Sequence, residues 1–518
     1  MASNTKIRVT VTLQPSGKSS VIIVQTLEDV LRQCSSKFRV KARRVFLATT
    51  GEELSKDLPR ISNDTKLIVT CGDAYTATTN STSTIKKDSA IDPSTVSIQI
   101  IANRTLVDEA AIDQLKNVAR LYPKVKHIWG IDNSNSFFFK GETADLNPKN
   151  LKIEKHPPPV NDVGMPDLHV GQSTPIGCVV ATEPTVVYPE LIGSDIGCGM
   201  SFIRTRLGHI SEDDERKLIK WTKQLQGLDD YLSKVTIEDF LQSNLEWPIP
   251  VDKISNDHIE NEQLGTIGAG NHFVELQRIE ELHDNTCDDL STDHLYLLVH
   301  SGSRSLGERF LREFGKDNDH TRGLERGTDA YEIYMQKHDE ACTWAKRNRA
   351  LIAQRFLACL GDTSPPQCLV DIWHNNVVLK ELGSEKSQVH LHRKGAAPSD
   401  KGRIIIPGSR GTHSYLVESI DENQESSGYS LAHGAGRAMS RSKARQYFSE
   451  KYPNTDRLKI TESLESHVVC DDKQLLYEEH PQAYKTIDAV IDDLVEAKLI
   501  RVIAKMRPLI TYKTRLTH

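Results

Sequence analysis

The sequence predicts a two-part chain that mixes helices and strands. Residues 1–75 read as a small β-grasp-like domain, and residues 98–518 as one large domain of both element types. Three observations carry this reading. Residues 6–75 follow a β-β-α-β-β order. A Ser/Thr-rich run, TATTNSTSTIKKDS at 76–89, lacks apolar periodicity and marks residues 76–97 as a flexible linker. Beyond it, strand and helix patterns mix, and five short segments set His, Cys or Asp among glycines.

In the small domain, KIRVTVTLQ and SSVIIVQ alternate as a hairpin does. TLEDVLRQCSSKF follows, with Leu27, Val30 and Leu31 at helical spacing. Apolar runs return at Val45–Leu47 and in LIVTCGD. This order resembles ubiquitin or doublecortin-like modules in pattern only. In the large domain VSIQIIA reads as a strand, and VDEAAIDQLKNVARL as a helix with Ile112, Leu115 and Val118 on one face. SEDDERKLIKWTKQL reads as a helix opened by a Ser211–Asp214 capping box and buried through Leu218, Trp221 and Leu225. Residues 329–360 read as a long helix. KTIDAVIDDLVEA is the last, with Ile487, Val490, Ile491 and Leu494 inward; two strands, LIRVIAKM and PLITYK, follow.

The 518 residues are 38% hydrophobic and 26% charged, ample for a large soluble core. The net charge of −6 restricts nucleic-acid contact to local basic patches. Candidates are KFRVKARR (37–44), KRNR (346–349) and the Arg437, Arg441, Lys443, Arg445 cluster; for the first two, solvated helix faces are an equal reading. Nine cysteines without a CxxC pair, a polar N-terminal start and no membrane-length apolar run suggest a reducing compartment, cytoplasmic or nuclear, with most thiols buried.

The five segments are SDIGCGM, GAGNHFVELQ, VHSGSRSLG, DIWHNN and LAHGAGRAMSR. Glycine lets backbone approach a ligand closely. Asp195 and Cys198, three apart in a turn, can face one ion; alone they read as a tight turn with a buried thiol. His272, His300 and His374 sit in similar strand contexts and tip the balance to a transition-metal site, with Mn, Fe or Zn all suited. If NHFVE is a strand, Asn271, Phe273 and Glu275 share one face and His272 takes the other. An amide beside a carboxylate suits the edge or ribose of a purine nucleotide. IPGSRGTHSY offers Ser409, Arg410 and Ser414 as phosphate donors, or is a plain turn. His433 is expected at the start of a helix, AGRAMSRSKARQYF, as a helix cap or as a nucleophile toward phosphorus. GKS at 17–19 lacks the upstream glycine of a P-loop, because Thr12 stands there.

Ten motifs in order then resemble the RtcB family of GTP-dependent RNA ligases: MPDLHVGQSTPIG, GSDIGCGM, GTIGAGNHFVELQ, VHSGSRSLG, HNN, HRKGA, IPGSRGTHSYLV, HGAGRAMSR, EEHPQAYK and RPLITYK. They span about four fifths of the chain and leave the first 97 residues outside. The resemblance implies an α+β fold with mixed sheets around a dinuclear metal cleft. It implies two Mn2+ ions bridged by Cys198, one completed by His272 and His300, the other by Asp195 and His374. It implies that His433 takes GMP from GTP, and that Asn271, Phe273, Glu275, Ser409, Ser414, His433, Ala435, Gly436, Tyr484 and Lys513 hold the guanylate. The implied reaction joins RNA 2′,3′-cyclic phosphate or 3′-phosphate ends to 5′-hydroxyl ends, in tRNA splicing or RNA repair. An archease-like activator is an implied partner; the N-terminal domain's partner is left open.

Leu431 and Ala432 stand where many family members have a Thr-Cys pair before the histidine, Arg410 where many have Met, and Ser194 where Tyr is common. These departures are similar to a divergent branch associated with RNA repair. Two other readings remain from the sequence: a metal-dependent cyclic phosphodiesterase that processes ends without sealing, and a noncatalytic RNA-associated scaffold.

Overall fold

A computed structural model describes residues 7–13, 18–24, 26–38, 42–47, 54, 65–70, 97–100, 109–122, 124–130, 167–171, 174–210, 214–226, 228, 263–284, 286–315, 323–364, 367–382 and 386–515. The chain divides into two compact units, residues 1–90 and 91–518. The expected linker over 76–97 lies outside the described residues except at its final position.

In the first unit, β1 (Ile7–Leu13) and β2 (Lys18–Val24) form the expected antiparallel hairpin. Helix α1 (Leu27–Phe38) follows, then β3 (Arg44–Leu47) and β4 (Thr65–Thr70). The sheet order is β2-β1-β4-β3, with β1 and β4 parallel at its centre. Alternate residues Val9, Val11, Ile22, Val24, Leu67 and Val69 face inward and meet Val30 and Cys34 of α1.

The second unit opens with β5 (Ser97–Ile100), α2 (Glu109–Leu121) and β6 (Val125–Gly130). Then come β7 (Cys178–Thr182), β8 (Val186–Val187) and β9 (Gly199–Gly208). After α3 (Glu215–Leu225) lie β10 (Phe273–Leu282), β11 (His294–Ser301), α4 (Ser305–Gly315) and β12 (Leu324–Glu325). Helix α5 (Asp329–Cys359) leads into β13 (Gln367–Trp373), β14 (Asn375–Leu382) and β15 (Ser387–Lys394). Strands β16 (Ala396–Pro398), β17 (Arg403–Pro407), β18 (Ser414–Ser419) and β19 (Ser430–Ala432) precede α6 (Arg441–Lys451). The chain then forms β20 (His467–Val469), α7 (Lys473–Glu478), α8 (Ile487–Glu496) and β21 (Ile500–Tyr512).

Among the described residues, an eight-stranded sheet runs β13-β9-β11-β10-β21-β18-β17, with β20 added in parallel beside β21. Its two ends, β13 and β17, approach each other, so the sheet is nearly closed. A five-stranded mixed sheet runs β14-β15-β7-β6-β5. The chain passes from the first sheet to the second between Trp373, paired with Gly199, and Asn375, paired with Lys394. His374 occupies that crossing.

The helix faces match the sequence patterns. Leu115 and Val118 are buried with Ile112 beside them, Trp221 and Leu225 are buried with Leu218 against them, and all four inward residues of α8 are buried. Three details differ. Helix α3 begins at Glu215, and Asp214 occupies its N-cap position without a side-chain cap bond; Ser211 lies outside the described residues. The two expected C-terminal strands are one 13-residue strand, β21. Its ladder slips beside Pro508, which pairs Gln277 while Ile510 pairs Leu276, so the proline's missing N–H falls at a bulge. The KRNR run is no surface patch: Arg347 and Arg349 are buried on α5.

Helix α5 is the main prop of the large sheet. Thr328 caps it by accepting from the Tyr331 N–H. Tyr334, Ala341, Trp344, Leu351 and Phe356 are fully enclosed in the largest core cluster, together with Val274, Leu276, Leu297 and Val299 from the strands. Trp344→Ala removes the largest of these side chains. It is expected to cost about 3–5 kcal/mol of stability, measured by urea denaturation; an unmoved midpoint would contradict the packing.

Candidate metal and nucleotide site

Strands β9, β11 and β10 are neighbours, and their register sets Met200 opposite His300 and His300 opposite Phe273. Cys198 stands just before β9 and His272 just before β10. The pairing therefore gathers Cys198, His300 and His272 at one end of three adjacent strands. Cys198 Sγ lies 3.3 Å from His272 Nε2 and 3.3 Å from His300 Nε2. The three ligand atoms lie within 4.8 Å of one another, and all three residues are buried. Asp195 Oδ2 is 2.9 Å from His272 Nε2. The His374 ring lies 5.1 Å from that of His300, between their centroids. All five residues singled out for metal thus meet in one place.

The local backbone explains how. The 195–198 turn closes through a Cys198 N–H to Asp195 carbonyl bond of 3.1 Å, and Asn375 ties it from both sides. Gly197 sits at φ +74°, and a Cβ there would lie 2.8 Å from the Cys342 backbone of α5, so only glycine fits. The His374 N–H donates to the Cys198 carbonyl at 2.8 Å.

Burial pushes His300 and His374 well below the usual imidazole range, and the neighbouring imidazoles add to it. Burial pushes the Cys198 thiol up, helped by Asp195. Burial also works to raise Asp195, but His272 outweighs it and holds the carboxyl low. Neutral imidazoles, a carboxylate and a thiol suit a borderline divalent transition ion. Buried His374 Nδ1 has no hydrogen-bond partner among the described residues, as a ligand nitrogen awaiting an ion would not. The residues fit a metal.

Asp195, Cys198, His300 and His374 line a cavity of about 1330 Å3 that also takes in His433. The His433 ring lies 4.7 Å from that of His374. Its Nδ1 is 2.6 Å from Asp167 Oδ2, which also accepts the His433 backbone N–H at 3.2 Å. The expected helix start is absent: residues 433–440 are not helical, and α6 begins at Arg441 under a Ser440 cap. Gly436 at φ +67° turns the chain so that Asp167 backbone packs 2.3 Å from where a Cβ would be.

Asn271, Phe273, Glu275, Ser409, Ala435, Gly436, Tyr484 and Lys513 line the same cavity. Ser414 is buried behind it, reached by a chain in which Gln277 Nε2 donates to Glu275 Oε1 (2.7 Å) and to Ser414 Oγ (2.8 Å). Thr511 also donates to Glu275. Burial nevertheless raises the Glu275 carboxyl to about 7. Lys513 Nζ donates to the His272 carbonyl at 2.9 Å, and burial lowers it to about 8 against the pull of Glu479.

Sequence reasoning gave Asp167 and Glu479 no role of their own and read Asn348 and Arg349 only as part of the KRNR basic patch. Arg349 is fully buried; it donates to the Gly197 carbonyl (3.0 Å), the Ser301 carbonyl (3.0 Å), Ser201 Oγ (2.9 Å) and Asp371 Oδ1 (2.6 Å). Glu479 holds Arg437 at 3.0 Å, Arg441 at 3.5 Å and Lys513 at 3.9 Å, and accepts from the Tyr484 hydroxyl. Against burial, these cations pull its carboxyl down to about 2. For Asp167 the one available signal was an acid among apolar and glycine residues in MPDLHVG.

A family profile described as "RtcB: tRNA-splicing ligase RtcB" matches residues 153–228 and 209–514. The chain is 42% identical over 354 residues to "RNA-splicing ligase RtcB2" of Escherichia coli, covering 68% of this chain and 87% of the relative. It is 30% identical over 398 residues to "RNA-splicing ligase RtcB" of Escherichia coli K12, covering 67% and 89%. It is 28% identical over 430 residues to "tRNA-splicing ligase RtcB" of Methanococcus maripaludis, covering 67% and 86%.

Removing Arg349 strands Asp371 and frees two carbonyls beside metal-site residues. Arg349→Met is expected to lose about 3–5 kcal/mol and to weaken binding of divalent transition ions in calorimetry. Pairing it with Asp371→Leu is expected to recover stability but not metal affinity, since the carbonyls stay unanchored. Recovery of both would show that Arg349 matters only as a counter-ion.

Proposed function

The chain belongs to the RtcB family, and from that membership we propose that it is an RNA ligase joining 3′-phosphate or 2′,3′-cyclic phosphate ends to 5′-hydroxyl ends, through guanylylation of His433. The observation that carries this is the shared cavity. A histidine with its Nδ1 held by a buried carboxylate stands one ring contact from a thiol–imidazole–carboxylate cluster.

Asp167 accepts from Nδ1–H, which fixes the tautomer and leaves Nε2 with its lone pair. Nε2 attacks the α-phosphorus of GTP; the N–P bond forms, the bond to the β-phosphate oxygen breaks and pyrophosphate leaves. A cyclic phosphate end is first opened by water to a 3′-phosphate. Its oxygen then takes the guanylate from His433, giving an RNA-(3′)pp(5′)G end. The 5′-hydroxyl of the second RNA attacks the RNA phosphorus of that end, and GMP leaves. Bound Mn2+ would polarise the phosphate oxygens and orient nucleophile and leaving group in line.

Cys198, His272 and His300 lie together as the expected division has them, and the contacts also support a second division. Asp195 lies against His272, and His374 against His300. This supports one ion on Asp195, Cys198 and His272 and a second on Cys198, His300 and His374. Asn271, Phe273 and Glu275 face the cavity and suit the nucleotide: Phe273 offers a ring face, and an ionised Glu275 accepts from the guanine N1–H and 2-amino groups. The cavity exceeds the ~300–1,000 Å3 of common small-ligand pockets, which leaves room for an RNA end beside the nucleotide. The greater identity to the RtcB2 relative supports a role in RNA repair or splicing within a branch apart from the K12 enzyme. The sheet order of the first unit supports a β-grasp module.

With Mn2+ and labelled GTP, the protein is expected to form an acid-labile, alkali-stable GMP adduct that His433→Ala abolishes. No adduct in metal-loaded wild type would defeat the ligase reading and favour end-processing alone; an adduct surviving in the variant would defeat the nucleophile assignment.

Glu275 gives a pH test. Its carboxyl titrates at about 7, and only the ionised form accepts the guanine donors. GTP affinity is therefore expected to rise about tenfold from pH 6 to pH 8, and the slope is expected to vanish in Glu275→Gln. A flat wild-type profile would exclude Glu275 as the base-reading carboxylate.

A further inference from the structure

The basic cluster that follows His433 in the sequence lies only partly in the cavity. Ser440, Arg441 and Ser442 line it, and α6 runs from there out to Lys451. Ala444 and Phe448 turn inward, to a small core with Leu475 and Leu476. Lys443, Tyr447 and Lys451 stand one turn apart on a single exposed row of the helix. Tyr447 is 50% exposed, with its ring edge-on to Phe448 at 5.0 Å. Lys451 lies over the rings of Tyr447 and Tyr452, at 6.0 and 5.3 Å, and donates to Gln482 Oε1 at 3.4 Å. Neither lysine pairs with a carboxylate among the described residues. The neighbouring row differs: Glu479 holds Arg441 at 3.5 Å and Glu478 holds Arg445 at 3.5 Å. Within α6 itself the one carboxylate is Glu450.

We propose that this row of α6 is a track for single-stranded RNA leading into the cavity, with Tyr447 stacking on a base and Lys443 and Lys451 meeting the phosphates on either side. The proposal rests on the RNA-ligase reading above and carries it beyond the cavity. The strand is the one ending in the 3′-phosphate. That end must lie beside the guanylate, and Arg441, at the foot of α6, is joined through Glu479 to Tyr484 and Lys513 on the nucleotide side. Charge argues for a polyanion, because α6 carries Arg441, Lys443, Arg445 and Lys451 against Glu450 alone. An exposed ring flanked by cations binds single strands of any sequence, since every base offers a ring face. The spacing also fits. Tyr447 stands about 7.5 Å along the helix from Ser442, which is roughly two stacked nucleotides. With the terminal nucleotide inside the cavity, the stacked base is the third or fourth from the 3′ end.

The test follows guanylate transfer to 3′-phosphate RNA by the full chain with Mn2+ and GTP, a step that needs no second strand. It compares an oligonucleotide long enough to span α6 with a dinucleotide that ends inside the cavity. Tyr447→Ala is expected to raise the KM of the long RNA about 5–100-fold and to leave that of the dinucleotide unchanged. Tyr447→Phe, which keeps the ring, is expected to behave as wild type. Lys443→Gln with Lys451→Gln is expected to flatten the salt dependence of the long RNA by a slope of about 1.4. Guanylylation of His433 by GTP alone is expected to be unmoved, since none of the three residues lines the cavity. In wild type, an abasic nucleotide third or fourth from the 3′ end is expected to cost as much as Tyr447→Ala, and this arm needs no variant. A long RNA whose KM ignores Tyr447→Ala overturns the proposal, as does an equal loss on the dinucleotide or an abasic scan with no sensitive position. A loss confined to the 5′-hydroxyl strand in sealing also overturns it. Wild type forming no His433 adduct defeats the underlying ligase reading instead.

Discussion

The buried Arg349 guanidinium is the constraint on which the site depends. Its five hydrogen bonds reach four partners: the Gly197 carbonyl in the Asp195–Cys198 turn, the Ser301 carbonyl after His300, Ser201 on β9, and Asp371 three residues before His374. Four of the five residues expected to hold metal are thus tied to one planar group. A guanidinium is suited to this because its donors project in fixed directions. Its burial is tolerable only because every direction meets an acceptor; one missing acceptor would leave a charge in the core. The neighbouring Asn348 extends the same clamp. It accepts from the Gly265 N–H at 2.6 Å and donates to the Thr266 and Gly302 carbonyls and to Ser301 Oγ. The GTIGAG segment, which leads into His272, is held from the same two positions of α5.

The two ends of the cavity are coupled through Lys513. Its ammonium touches the His272 carbonyl on the metal side and lies 3.9 Å from Glu479 on the other. It follows directly from β21, whose pairing with β10 places Thr511 against Glu275. The strand that closes the sheet therefore carries one residue to the carboxylate expected to read the base and another to the backbone of a metal-side histidine. The bulge at Pro508 allows this, since without the slip each residue beyond it would face a different partner.

Much of this was legible in the sequence, and the failures have physical causes. Helix faces and the gathering of His, Cys and Asp could be read because periodicity and ligand chemistry are local properties. The crossing of His374 between two sheets could not, because sheet membership is set by distant pairing. HGAGRAMSRSKARQYF looks helical throughout, yet Gly436 must adopt a left-handed turn to pass the Asp167 backbone, and Ser440 takes over as the cap. KRNR looked like a charged surface face. A linear run of charge cannot reveal that its second arginine has acceptors arriving from three other segments. Asp167 was hidden for the same reason: its partner, His433, lies 266 residues away.

The charge pattern of the cavity argues for the kind of ligand it takes. Arg437, Arg441 and Lys513 surround Glu479, and the latter's carboxyl is held down to about 2, so it stays ionised throughout the physiological range. One carboxylate cannot neutralise three cations, and Arg410 adds a fourth with no carboxylate in ion-pairing distance. Lys394 and Lys485 face the same space and donate to the Thr174 hydroxyl and the Leu168 carbonyl. On the metal side Asp195 and Glu190 face the cavity, with Glu275 beside them, and ions bound at Asp195 would reverse its sign. The lining thus carries more Lys and Arg side chains than carboxylates, with Glu479 serving as an internal strut that keeps the cations from driving one another apart. Such a site favours a polyanion over a neutral ligand, and it favours one long enough to reach from Glu479 to the cysteine–histidine cluster. A nucleoside triphosphate beside an RNA end meets both requirements.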